Sequence, residues 1–169
     1  MIKLQEWLDF GYPGGPKVDN LAKTGTPNID LPIANIDNLD FSFSGIKTAV
    51  INLNHKNPNL NKADLCASFQ KAATKMLLNN VEKVVGENVS VSTSKINKIV
   101  LAGGVSANSY IRNEFDNFSK EKGIEVLYPE LKYCTDNAAM IACAGYYNFL
   151  ENKKADLKLN AIPNLKLEE

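Results

Sequence analysis

Residues 98–104, KIVLAGG, carry an unbroken apolar run into a pair of glycines, and residues 124–130, IEVLYPE, form a second short apolar run. Runs of this kind suit strands buried in a parallel sheet. Between them SANSYIRNEFDNFSKEKG reads as a helix from about Ser106 that closes at Gly123. Strand, helix and strand in that order imply a right-handed crossover and a parallel pair. The chain is therefore predicted to be α/β, a small parallel sheet with several helices.

The other elements follow from periodicity and punctuation. In ADLCASFQKAATKMLLNNVEKVVGEN, residues 63–88, apolar side chains such as Leu65, Phe69, Ala72, Met76 and Leu77 recur at helical spacing. PKVDNLAKTG reads as a short helix with Pro16 in its first turn and Gly25 at its end. Ser44 stands where an N-cap belongs, ahead of GIKTAVINLNHK. Just before it, Phe41 and Phe43 alternate with serines, as in a short half-buried strand. Phe10, Phe41, Phe43, Phe69 and Phe115 are all expected in the core. The final helix, in TDNAAMIACAGYYNFLEN, is dense in small residues that permit close packing. Residues 1–150 are read as one lobe and 151–169 as a surface tail.

Composition excludes several classes. With 169 residues, 44% apolar and 22% charged, the chain suits one soluble globular domain. Lys+Arg and Asp+Glu balance at 19 each, so no overall field draws it to nucleic acid or membrane. Cys66, Cys134 and Cys143 make no CxxC pair and no even-numbered framework, which points to reduced thiols and a cytoplasmic location. No apolar run approaches the roughly 18 residues of a membrane span.

Two stretches can carry chemistry. LAGGVSANSYIR sets Gly103 and Gly104 at the end of a predicted strand, where open parallel sheets bind ligands and glycines let a ring or phosphate approach the backbone. It is neither a GxGxxG fingerprint nor a phosphate loop, and a tight turn alone also explains the glycines. Asn108 either caps the following helix or bonds a ligand hydroxyl. In YCTDNAAM, Thr135 or Asp136 would cap the last helix, and Asp136 can alternatively ligate a metal whose other ligands come from elsewhere. The single histidine, His55, falls in the polar stretch NLNHKNPN without a partner at metal-ligand spacing and reads as a surface residue. Lys47 reads as solvated or as facing an anion near a helix start. Neither Cys66 nor Cys134 has a histidine base beside it in sequence.

Taken in order, GYPGGP, FSFSGIKTAV, ADLCASFQKA, VLAGGVSANSYIR and CTDNAAMIACAGY resemble the later part of the tRNA N6-adenosine threonylcarbamoyltransferases, from about Leu8 to Leu150. Older names for that family are O-sialoglycoprotein endopeptidase and glycoprotease-like protein. The resemblance implies an actin-like, Hsp70-like (ribonuclease H-like) lobe with nucleotide between two lobes. It implies transfer of threonylcarbamoyl from threonylcarbamoyl-adenylate to N6 of adenosine 37 in tRNAs that read codons beginning with A. Gly15 and Asp19 then resemble ribose contacts, Gly103, Gly104 and Asn108 the adenylate side, and Asp136 a ligand of an iron or zinc ion.

The family's His-x-x-x-His pair is not in this sequence. The resemblance therefore implies a chain holding part of a site, inactive alone, with threonylcarbamoyl-adenylate or ATP/ADP as ligand. Its partners would be an N-terminal lobe, subunits of the threonylcarbamoylation complex, tRNA through that complex, or a second copy through an exposed face. A non-catalytic partner-binding module is the alternative, and a metallopeptidase a third reading.

Overall fold

The structure, a computed structural model, describes residues 11, 13–36, 39–86 and 96–163. It divides into two units, Met1–Cys134 and Thr135–Glu169.

The first unit is built on its longest helix. Calling the helices in chain order α1 (Gly14–Ala22), α2 (Ser44–Lys56) and α3 (Lys62–Val85), α3 runs for 24 residues. Its N-terminus is capped by Asn61, whose Oδ1 accepts from the Ala63 N–H at 2.9 Å, and Asp64 in the first turn suits the helix dipole. Leu65, Cys66, Phe69, Ala72 and Met76 are buried, as their spacing predicts. Val18 and Ala22 of α1 and Ile46 and Val50 of α2 join Leu65, Cys66, Phe69 and Ala72 in one core. Burying a Val, Leu, Ile or Phe side chain in it stabilises the unit by about 1.5–3 kcal/mol each.

Polar groups of α3 hold the irregular connection between α1 and α2. Asp64 Oδ1 accepts from the Thr26 N–H at 2.7 Å, Ser68 Oγ accepts from the Ile29 N–H at 3.0 Å, and Asn80 Nδ2 donates to the carbonyls of Leu39 and Asp40. These bonds satisfy backbone groups that no sheet or helix would pair. Gly25 lies so close to α3 that a Cβ there would run into the Ala63 carbonyl. The glycine read as a helix end is therefore required for close approach, and α1 itself stops at Ala22.

The second half of this unit is the expected crossover. Strands β1 (Lys98–Val100) and β2 (Glu125–Leu127) are parallel, with Lys98 opposite Glu125, Ile99 opposite Val126 and Val100 opposite Leu127. Helix α4 (Ser109–Lys122) connects them, burying Ile111, Phe115 and Phe118, and ends at Gly123 in the left-handed conformation at φ 65°. Ile99 and Val126 are half-buried. On the opposite sheet face Val100 is 69% and Leu127 42% exposed, beside an ion pair of 2.7 Å between Lys98 and Glu125.

Several local expectations are corrected. Helix α4 starts at Ser109, because a short 3-10 turn, Gly104–Ala107, intervenes. Ser44 is the first helical residue of α2, and no side chain caps that helix. His55 lies in the last turn of α2 and is exposed. Phe41 and Phe43 form no strand; their rings stack at 6.3 Å and are 48% and 42% exposed, whereas Phe69 and Phe115 are buried. Phe10 lies outside the described residues.

In the second unit α5 (Ala138–Leu150) buries nothing within that unit. Its cap is Asn137, whose Oδ1 accepts from the Met140 N–H at 3.2 Å, so neither Thr135 nor Asp136 fills that position. Residues 151–163 are exposed, and 164–169 lie outside the described residues.

Candidate functional site

A glycine-entered helix and the turn after β1 meet at one cleft. Gly15, Pro16, Asp19 and Asn20 come from α1, and Gly104, Ala107 and Asn108 from the turn leading into α4. The cleft encloses about 150 Å³. Pockets that hold a whole drug-sized ligand span about 300–1,000 Å³, so this one suits a fragment the size of a sugar.

Each wall has a local cause. Gly103 takes φ 83°, ψ 169°, a conformation essentially reserved for glycine, and turns the chain from β1 into the 3-10 turn. Gly15 has no heavy atom within 4 Å of where a Cβ would stand, so its missing side chain keeps open space. Arg112 secures the turn from behind. Its Nε donates to the Ser106 carbonyl at 2.6 Å, its guanidinium to the Pro129 carbonyl at 2.8 Å and Cys134 Sγ at 3.2 Å, and it stacks 4.4 Å over Tyr128.

Asp19 is the polar centre. Its Oδ1 accepts from Gln70 Nε2 at 2.9 Å, Asn108 Nδ2 at 3.1 Å and Ser109 Oγ at 2.9 Å. Its Oδ2 receives longer contacts from the Ser109 N–H at 3.4 Å and Lys23 Nζ at 3.5 Å. Burial alone would raise this carboxyl's pKa, but the bonds from Gln70 and Ser109, with the charge of Lys23, outweigh it and hold the pKa below its ordinary value.

Asn108 fills the cap position expected of it and also reaches across to α1. Its Oδ1 accepts from the Ile111 N–H at 2.9 Å, capping α4, while its Nδ2 reaches Asp19. Of the residues singled out in the sequence, Gly15, Asp19, Gly104 and Asn108 line one cleft and Gly103 shapes it from the adjoining position. Asp136 is exposed and belongs to the second unit. The sequence reading missed Gln70 and Ser109. For Gln70 the signal was a polar residue one place after Phe69 and four after Cys66, within a mostly apolar helical pattern.

Residues 1–143 match the family model described as TsaD: tRNA N6-adenosine threonylcarbamoyltransferase. The chain belongs to that family. It is 45% identical over 175 residues to the tRNA N6-adenosine threonylcarbamoyltransferase of Clostridium novyi, a match covering 99% of this chain and 50% of that relative. The enzymes of the same name from Carboxydothermus hydrogenoformans and Clostridioides difficile are 46% and 45% identical, over 99% of this chain and 49% and 50% of theirs. The chain thus spans about half the length of the curated relatives it matches, and the match is to their C-terminal portion. The α/β unit with its parallel pair is part of the actin-like ATPase fold of the TsaD family.

A metal ion is implied for TsaD proteins by the resemblance. Among the described residues no group of three or more His, Cys, Asp or Glu side chains stands close enough to hold one. Asp136 supplies one carboxylate, too few donors to fix a transition metal. Burial pushes the Cys66 thiol up to about 11, so without a metal it is held as the neutral thiol. Among the described residues, no helix is long and apolar enough to cross a membrane.

Proposed function

We propose that this chain supplies the ribose-binding part of the adenylate site of a tRNA threonylcarbamoyltransferase. The observation that carries the reading is the meeting of Gly15, Asp19 and Asn108 at one sugar-sized cleft in a TsaD-family chain. A carboxylate held ionised is a strong acceptor for sugar hydroxyls, and Gly15 leaves room for the ring. In the reaction the N6 amine of adenosine 37 attacks the carbamoyl carbon of threonylcarbamoyl-adenylate. The new C–N bond forms as the bond to the AMP oxygen breaks, and the amine loses a proton. The work of these residues is to bind and orient the leaving adenylate.

The remaining donors for an iron or zinc ion, to which Asp136 contributes, belong in this reading to the portion of the relatives outside the match. The transferase reaction, placed in the cytoplasm, needs that portion as the structural partner of the residues in this chain. The bare sheet face at Val100 and Leu127 supports a place for such a partner, since parallel sheets are ordinarily covered on both faces.

Calorimetric titration with ADP tests the reading, on the chain alone and mixed with a polypeptide carrying the remaining portion of a relative. Binding is expected in the mixture and loss of binding in Asp19→Ala and Asn108→Ala. No binding in either sample, with Asn108→Ala changing nothing, refutes it.

A further inference from the structure

The cleft residues do not account for one buried contact made to Asp19, that of Gln70. Gln70 is 4% exposed and sits on α3 among Cys66, Phe69 and Ala72, where a primary amide must be hydrogen-bonded to be tolerated. Its Nε2 donates to Asp19 Oδ1 at 2.9 Å.

A carboxylate oxygen has two lone pairs, and Oδ1 already faces three donors, from Gln70, Asn108 and Ser109. Oδ2 is reached by two longer contacts at 3.4 and 3.5 Å and keeps acceptor capacity. The donors come from two directions, α3 on one side and the start of α4 on the other, so they fix the carboxylate's rotation as well as its place.

We propose that Gln70 is a positioning residue for nucleoside recognition: from inside α3 it anchors Oδ1 of Asp19, with Asn108 and Ser109 on the same oxygen, and so presents Oδ2 to a ribose hydroxyl. This rests on the reading of the cleft as a ribose site. Gln70 itself touches no ligand. Its effect is on the diol alone, because removing it frees Asp19 to turn without altering Gly15 or the turn at Gly104.

The experiment is titration of the full chain, in the sample that binds, with ADP and with 2′,3′-dideoxyadenosine 5′-diphosphate. Gln70→Ala is expected to weaken ADP about tenfold, the size of one hydrogen bond to a charged group, and to leave the dideoxy nucleotide within about twofold. A merely structural role would weaken both alike. Gln70→Glu sets a second carboxylate against Asp19, with Lys23 the cation beside it; ADP binding should be weak at pH 8 and recover as the new group takes a proton. Equal losses for both nucleotides, or no loss for ADP in Gln70→Ala while Asp19→Ala abolishes binding, overturn the inference and leave the ribose site standing. If the unchanged chain binds neither nucleotide, the ribose site fails and the inference with it.

Discussion

Asp19 ties α1 to α3 and to the start of α4. Its folded pKa lies below the ordinary value of 3.8, so the stability it contributes is present above that value and is lost as pH falls through the lower, folded one. Acid titration of thermal stability should therefore show a loss below about pH 4 that is smaller in Asp19→Asn. Removing the carboxylate with Asp19→Ala strands the buried amides of Gln70 and Asn108 and should cost about 2–3 kcal/mol by urea unfolding. Gly15 gives the opposite pattern. A Cβ there meets nothing within 4 Å, so Gly15→Ala should stabilise α1 by about 0.5–1 kcal/mol while narrowing the cleft and weakening ADP. Gly15 and Asp19 were singled out through the family resemblance that GYPGGP carries, and Asn108 through its place just past the paired glycines. Gln70 was passed over because its partner lies far along the chain, and no local pattern records a contact across that distance.

Among the elements, α3 and the crossover were the most legible, since a long helical period and a strand–helix–strand order leave few alternatives. The errors fell where tertiary contact overrides a local rule. Phe41 and Phe43 alternate as a strand would, yet no neighbouring strand pairs with them among the described residues, and their rings stack on each other. Gly25 resembled a helix stop, but close approach to Ala63 explains it. Gly25→Ala should push α3 away from the connection and cost about 1–3 kcal/mol, read as a fall in urea midpoint at unchanged slope. Gly103→Ala should also destabilise, for a different reason, because its φ of 83° with extended ψ is strained for any side chain.

Over the whole molecule, the first unit carries its own core and the cleft, while its two-stranded sheet is covered on one face. A parallel pair with Val100 and Leu127 bare presents an apolar surface of the kind through which proteins associate. Sedimentation velocity should show concentration-dependent association of the chain that Val100→Glu reduces, with far-UV circular dichroism unchanged. The strand–helix–strand order foretold an α/β fold and the motifs foretold the family. Neither foretold the division at Cys134 and Thr135, because unit boundaries depend on which contacts form and no composition shift marks that junction.

The double duty of Asn108 makes one amide a sensor. Its Oδ1 holds the Ile111 N–H while its Nδ2 holds Asp19, so any ligand that steadies Asp19 also steadies the first turn of α4. Hydrogen exchange at the Ile111 amide should slow when the cleft fills, reporting occupancy through a bond made by Asn108 on its helix side.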